Sequence, residues 1–322
     1  MMMKPLAAAI AAAALWTAAA SAQAPTLRAA VMESGTVNWE LDTIRHHGLD
    51  AENGFTLDVQ GMAGGSAART AFQAGEADVI VADWLWVARQ RAAGRDYVFI
   101  PYSKSVGGIM VPEGSDAQDV ADLAGASIGI AGGPLDKSWL ILQAYAAEQG
   151  FDLAGETEQV FGAPPLIFQT AVKGELDAAI NYWHFTAKME AAGMRKLIDV
   201  ATAAEALGLD PETPLLGYVV TGDMVRDRPD LVNGLAAASR GAKGILAEED
   251  AEWERLRPRM NAQSDAQFEA LVAGYREGIP SEGPIDEEAA SRMLELMARL
   301  GGEELMGRAT SLPDGTFHQP SM

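Results

Sequence analysis

The sequence predicts a two-lobed α/β protein, each lobe a mostly parallel sheet flanked by helices, with two strands crossing between the lobes at a hinge. Three observations carry this. The chain has 322 residues, more than one compact core usually organises. Short apolar runs alternate with stretches of helical period, and the alternation restarts near residue 127, as in repeated β-α-β units. One pattern also occurs twice in the same register. Thr70-Ala71-Phe72-Gln73-Ala74-Gly75-Glu76-Ala77-Asp78 leads into an apolar run and Trp84, and Thr170-Ala171-Val172-Lys173-Gly174-Glu175-Leu176-Asp177 leads into another and Trp183. Each copy reads as a helix end, a Gly-Glu-x-Asp turn, a buried strand and an aromatic at the strand's end.

The elements follow in order. Residues 27–32 form a strand and 38–46 a helix that stops at Gly48. Residues 55–60 alternate like a strand. Residues 66–74 are a helix begun from Gly64-Gly65, and 78–82 a continuous apolar run suited to a buried parallel strand. A helix over 84–93 stops at Gly94, and 97–101 is the next strand. After the restart, strands are expected at 127–131, 158–161, 177–181 and 196–200, and helices at 137–149, 166–173 and 183–192. Gly107 to Val111 and Leu215 to Val220 are apolar strands beside Gly or Pro, and they are the two expected crossings. Lobe one is then 25–108 with 217–322, and lobe two is 109–216. From Met224 the pattern is almost entirely helical, in blocks at 230–246, 251–260, 265–277 and 286–299. The Gly-rich end from Gly301 is expected to be loosely held.

Residues 1–24 differ in composition. Lys4 precedes an Ala-rich apolar run, followed by Ala20-Ser21-Ala22 and Ala22-Gln23-Ala24. This is the pattern of a secretory signal cleaved near Ala22 or Ala24, and it predicts export, to the periplasm in a Gram-negative host. An uncleaved anchor is the alternative. No later run reaches the ~18 apolar residues a membrane span requires.

The net charge of −21 argues against a nucleic-acid partner, since phosphate binding needs clustered Lys and Arg. The chain has no cysteine, which excludes disulfides, thiolate metal sites and Cys nucleophiles. G-x-S-x-G, H-E-x-x-H, P-loop and G-x-G-x-x-G motifs are absent. Of four histidines, His46 and His47 are adjacent, so on a helix they point about 100° apart and suit a solvated helix end better than a metal. His318 is expected to have no role, and His184 alone stands near a candidate site. No metal and no cofactor are expected.

In open α/β sheets ligands bind beyond the C-terminal ends of the strands, where the free N–H groups of helix starts accept polar or anionic groups. The residues at those positions are therefore the candidate ligand contacts. Asn38 and Trp39 follow the first strand and Gly64, Gly65 and Ser66 the second. Asp83 and Trp84 follow the third, and Ser105 the fourth. In the second lobe Gly133, Asp136, Lys137, Ser138 and Trp139 bridge a strand and a helix, and Asn181, Tyr182, Trp183 and His184 close the repeated turn. Each has a plainer alternative: the glycines as helix starts, Asp83 and Asp136 as helix caps, the Trp rings as core.

Gly64-Gly65-Ser66, the Gly75–Asp78 turn, Ala124-Gly125-Ala126-Ser127-Ile128-Gly129-Ile130 and the Gly174–Asp177 turn, taken in that order, resemble the nitrate/sulfonate/taurine and thiamine-precursor group of ABC-importer solute-binding proteins. The resemblance covers nearly all of the chain after the signal. It implies a type II periplasmic-binding-protein-like fold that closes on a small-molecule ligand, a monomer, no enzymatic activity, and a membrane permease with its ATPase as partners. A periplasmic sensor without its own transporter, and a thiamine-pyrimidine-synthase-like enzyme on the same scaffold, are the alternatives. One departure is Ala126, where the family usually has Lys. With only Arg69, Lys104 and Lys137 as cations near the cleft, Asp83, Asp136 and the Trp set suit an amine-bearing, cationic or aromatic ligand better than a bare oxyanion.

Overall fold

A computed structural model describes residues 24–318. Apart from Ala24, the predicted export signal lies outside the described residues. The chain runs β1 (Thr26–Met32), α1 (Val37–His46), α2 (Leu49–Glu52), β2 (Thr56–Met62), α3 (Gly65–Gln73), β3 (Val79–Asp83), α4 (Trp84–Ala92), β4 (Tyr97–Ser103) and β5 (Gly108–Pro112). It continues β6 (Ser127–Ala131), α5 (Lys137–Glu148), β7 (Glu158–Gly162), α6 (Pro164–Val172), β8 (Ala178–Asn181), α7 (Trp183–Ala191), β9 (Met194–Asp199), α8 (Val200–Ala206) and β10 (Leu216–Thr221). Helices α9 (Gly222–Asp227), α10 (Pro229–Glu248), α11 (Asp250–Leu256), α12 (Asp265–Glu277) and α13 (Glu287–Met306) complete it.

Two five-stranded sheets result, with orders β2-β1-β3-β10-β4 and β7-β6-β8-β5-β9. Within each, the core pairs are parallel, and the strand arriving from the other half is antiparallel to both neighbours: β10 between β3 and β4, β5 between β8 and β9. The fold is thus the expected two-lobed, mostly parallel α/β arrangement.

The internal repeat has a physical cause. The Asp78 carboxylate accepts from the Arg28 backbone N–H (2.9 Å), Nε (3.0 Å) and NH2 (2.8 Å) at the start of β1. The Asp177 carboxylate accepts from the Ser127 backbone N–H (2.8 Å) and hydroxyl (2.7 Å) at the start of β6. Each aspartate pins a central strand to the turn before its parallel neighbour. Gly75 and Gly174, both at φ +74°, make the left-handed turn that delivers it.

The first lobe encloses a buried ion pair. Glu40 is fully buried and Lys243 is 8% exposed. Glu40 Oε2 accepts from Lys243 Nζ (2.7 Å) and Tyr275 OH (2.9 Å), and Oε1 from Tyr218 OH (2.8 Å) and Ser239 Oγ (2.5 Å). Lys243 also lies 5.0 Å from the Tyr102 ring centre. Each carboxylate oxygen therefore has two donors, as burial of a charge demands.

Some expectations are corrected. The block predicted at 251–260 is α11 followed by a 3-10 turn, Arg257–Arg259, where Pro258 stops the helix. The predicted final helix, 286–299, extends to Met306 across a break at Gly302. Helix α8 was not predicted. As far as His318 the tail is held: the Phe99 N–H donates to Thr316 O and the His318 N–H to Phe99 O, both at 2.8 Å. Phe317 is 4% exposed and packs on Trp84 and Phe99. The tail thereby covers the outer edge of β4, which would otherwise be an open sheet edge. His318, expected to have no role, contacts Asn233 Oδ1 through its Nε2 (3.1 Å).

Candidate functional site

The ends of β3 and β6 face one another, and each begins a helix capped by an aspartate. Asp83 Oδ1 accepts from the Trp86 N–H of α4 (2.8 Å), and Asp136 Oδ1 from the Trp139 N–H of α5 (3.1 Å). Lys137, the first residue of α5, crosses between the halves and donates to Asp83 Oδ2 (3.1 Å). Arg69, one turn into α3, reaches the same oxygen (3.4 Å), and its guanidinium lies 5.0 Å from the Trp86 ring centre. The Arg69 Nε is buried without a hydrogen-bond partner. Gly64 and Gly65 begin the helix that carries Arg69, and Gly133 O accepts from the Asp136 N–H (2.9 Å); a Cβ on any of the three would meet nothing within 4 Å, so the backbone there faces open space. Gly65 and Ser66 are exposed at the start of α3.

Gly132 has φ +97°, a conformation costly for any other residue. A Cβ there would lie 3.6 Å from the Asp136 carboxylate and 3.7 Å from the Tyr182 hydroxyl, so these two groups share one corner. Tyr182 is 38% exposed and forms the accessible lip of the second half.

The electrostatics follow from burial and pairing. Burial alone would raise the Asp83 pKa, but Lys137 and Arg69 outweigh it and hold the carboxyl below its ordinary range. Asp136 is pushed up, by burial first and by the neighbouring Asp83 charge last, against the helix N–H groups that stabilise its ionised form. Tyr182 is raised by burial and by Asp136. His184 is driven down to about 4 by burial and by Lys188, so at neutral pH it is an uncharged ring against Tyr182, Trp183 and Phe185.

The remaining candidates take other places. Asn38 donates through Nδ2 to Met32 O (2.9 Å), Gly35 O (2.8 Å) and Glu33 O (3.2 Å), which closes the loop after β1. Asn181 likewise bonds Pro164 O (2.9 Å) and the Tyr182 N–H (2.8 Å). Gly107, where the first crossing passes, lies so near that a Cβ would sit 1.7 Å from Asn181 O. Trp84 is wholly buried and Trp139 is 3% exposed; both rings serve the core. Trp39 is 5% exposed and meets Trp183 edge-on at 6.1 Å between centroids, so this pair joins the two halves beside the cleft. Ser105 Oγ faces Gly274 O (3.4 Å). Ser138 lines, with Lys137, Leu85, Ile141 and Met297, a cavity of about 30 Å³ behind the cluster, room for a water or two and not for a solute.

Two sequence inferences change. The carboxylates that had suggested a cationic ligand are already engaged, Asp83 by two cations and both by helix starts. Arg69, expected only as one of three cations near the cleft, has a buried Nε without a hydrogen-bond partner. The signal for it was its position four residues after Gly65, on the same helix face as the exposed start of α3.

The His46 and His47 rings also come together, 5.0 Å apart, because the helix ends there and His47 is its cap. Their nitrogens and a Glu252 oxygen lie within 4.8 Å of one another. Glu252 is occupied, however: it accepts from Thr43 Oγ1 (2.7 Å), Arg255 NH2 (2.7 Å) and Nε (2.9 Å), and lies 3.2 Å from His47 Nε2. Burial opposes ionisation, yet these partners hold the Glu252 pKa at about 2, against 4.5 for the free side chain. A depressed carboxyl contributes stability above its unfolded pKa and loses it as the pH falls to its folded one. Glu252→Gln is therefore expected to cost about 3 kcal/mol at pH 7, with the loss shrinking between about pH 4.5 and 2. Urea denaturation across that range checks it. A cost independent of pH would show that the ion pair is not its source.

The structure is similar to several solved ones. Against the alkanesulfonate-binding protein SsuA from Xanthomonas axonopodis pv. citri, bound to MOPS, the TM-score is 0.68 at 18% identity, covering 92% of this chain and 99% of that one. Against the periplasmic aliphatic sulphonate-binding protein SsuA from Escherichia coli the TM-score is 0.71 at 17% identity, covering 92% of each. The zinc-bound ligand-binding component of an ABC-type import system from Staphylococcus aureus gives 0.69 at 10% identity, covering 92% and 97%. At these identities the likeness is one of fold. Comparison with curated protein sequences gives no match. The family model described as "NMT1/THI5 like" matches residues 45–252, more than half of the chain, and the chain therefore belongs to the NMT1/THI5-like family.

Proposed function

We propose that this protein is the exported solute-binding component of an ABC importer, and that it takes a small organic anion between its two lobes. Lobe one comprises 25–108 and 217–322, and lobe two 109–216. A membrane permease and its ATPase are the partners that receive the solute, and the protein acts as a monomer without chemistry of its own. Support for the role comes from the family, from a fold shared with sulfonate-binding and import-system proteins, and from the export-like residues 1–24.

The observation that carries the ligand class is the convergence of Arg69, Lys137 and the helix starts of α3, α4 and α5. Arg69 and Lys137 supply two positive charges, and the α3, α4 and α5 starts add about half a charge each. Asp83 and Asp136 offset about two. The balance is about one to two positive charges, suited to a monovalent oxyanion whose oxygens accept from Arg69, Lys137 and the N–H groups near Gly65 and Ser66. Tyr182 would cover an organic tail. His184, the histidine near this site, is an uncharged packed ring at neutral pH, which supports a binding role over an enzymatic one.

The test is a titration followed by Trp fluorescence and calorimetry, with ethanesulfonate and benzoate against choline and thiamine. The anions are expected to bind and the cations not. Arg69→Met is expected to weaken anion binding about tenfold to a hundredfold, the worth of one charge-assisted hydrogen bond. Binding of the cations alone would refute the anion assignment.

A further inference from the structure

Asp83 stands where two cations and a helix start meet, a place that an incoming anion would also seek. We infer that the Asp83 carboxylate is a built-in rival of the solute's anionic group, competing for Lys137 and Arg69 and so setting how tightly the cleft holds a monovalent anion. The inference deepens the anion reading above and rests on it.

The geometry makes the competition specific. Oδ1 is committed to the Trp86 N–H at 2.8 Å, so the carboxylate is anchored to α4 and stays in the cleft. Oδ2 is the oxygen shared by Lys137 at 3.1 Å and Arg69 at 3.4 Å. Asp83 is 5% exposed, and charges interact more strongly there than in water. Lys137 belongs to the opposite half, so the contact also ties the lobes together. Both cations keep capacity for a second acceptor. An ammonium has three donors, and the Arg69 Nε is buried without a partner. An anion placed beside Gly65 and Gly133 would draw on these same donors, and its charge would be opposed by Asp83.

Removing that opposing charge without removing the cap separates the two roles. In Asp83→Asn, the amide oxygen still accepts from the Trp86 N–H, because Asn caps helices about as well as Asp. Asp83→Ser is a second capping variant that guards against an amide-specific effect. Binding of ethanesulfonate and of the uncharged ethanesulfonamide is measured by calorimetry on wild type and both variants, with melting temperature as the check on folding. Ethanesulfonate is expected to bind at least tenfold more tightly to both variants, with no gain for ethanesulfonamide. Wild-type binding of ethanesulfonate with no tightening in the folded variants would overturn this inference and leave the anion reading intact. Equal gains for both probes would also overturn it, since they would report a looser cleft and not a lost rival. Failure of any protein to bind ethanesulfonate, benzoate or nitrate would overturn both readings.

Discussion

Replacing Lys243 with methionine is expected to destabilise the protein by about 3–5 kcal/mol, because it strands a buried carboxylate without its counter-charge. Glu40 is wholly enclosed. Its three hydroxyl donors, Tyr218, Ser239 and Tyr275, solvate it but carry no charge. Methionine conserves the volume of the lysine stem, so the loss reports electrostatics and not a cavity. The double variant Glu40→Gln, Lys243→Met removes both charges and should recover much of the loss, as replacement of whole buried pairs commonly does. Urea denaturation of the four proteins in the cycle measures this. A single-variant cost under about 1 kcal/mol would mean that the hydroxyls alone suffice.

Phe317→Ala is expected to cost about 3 kcal/mol, the low end for a buried aromatic. The ring lies 5.6 Å from Trp84 and 5.8 Å from Phe99 between centroids, so its removal opens a void beside the wholly buried Trp84. Thermal unfolding gives the cost, and a red shift of Trp emission would report water reaching that indole. A change of less than about 1 kcal/mol would show that the tail is held by its two backbone bonds and not by this ring.

The tail also shows what kind of information the sequence lacked. Most strands and helices were legible because period, glycine stops and aspartate caps are local signals. The hold on Phe317 depends on Phe99, a partner far away in sequence. Helix α8, Val200–Ala206, escaped notice for a different reason: its Ala-rich stretch has little apolar periodicity, and its one clear mark is the Asp199 cap, which accepts from the Thr202 N–H at 2.7 Å. At the site, the positions after the strands were legible, and Asp83, Lys137, Asp136 and Tyr182 do gather there. Their pairing was not. Asp83 looks like a free acceptor in one dimension, and only the meeting of β3 with α5 and α3 shows that Lys137 and Arg69 already engage it. The ligand charge proposed for the cleft therefore differs in sign from the one the sequence suggested.

The position of β10 has a consequence for how the chain is made. It lies between β3 and β4, yet it is synthesised more than a hundred residues after either. Until it arrives, β3 and β4 have no common partner and the edge strand β4 is cut off from the rest of the first sheet. The first lobe then waits again for Phe317, which seals β4. Such long-range closure slows folding and keeps a growing chain from becoming compact early. If the chain is exported unfolded, as proposed above, that delay would be useful: the first half would remain pliable until the last strand and the sealing residue arrive.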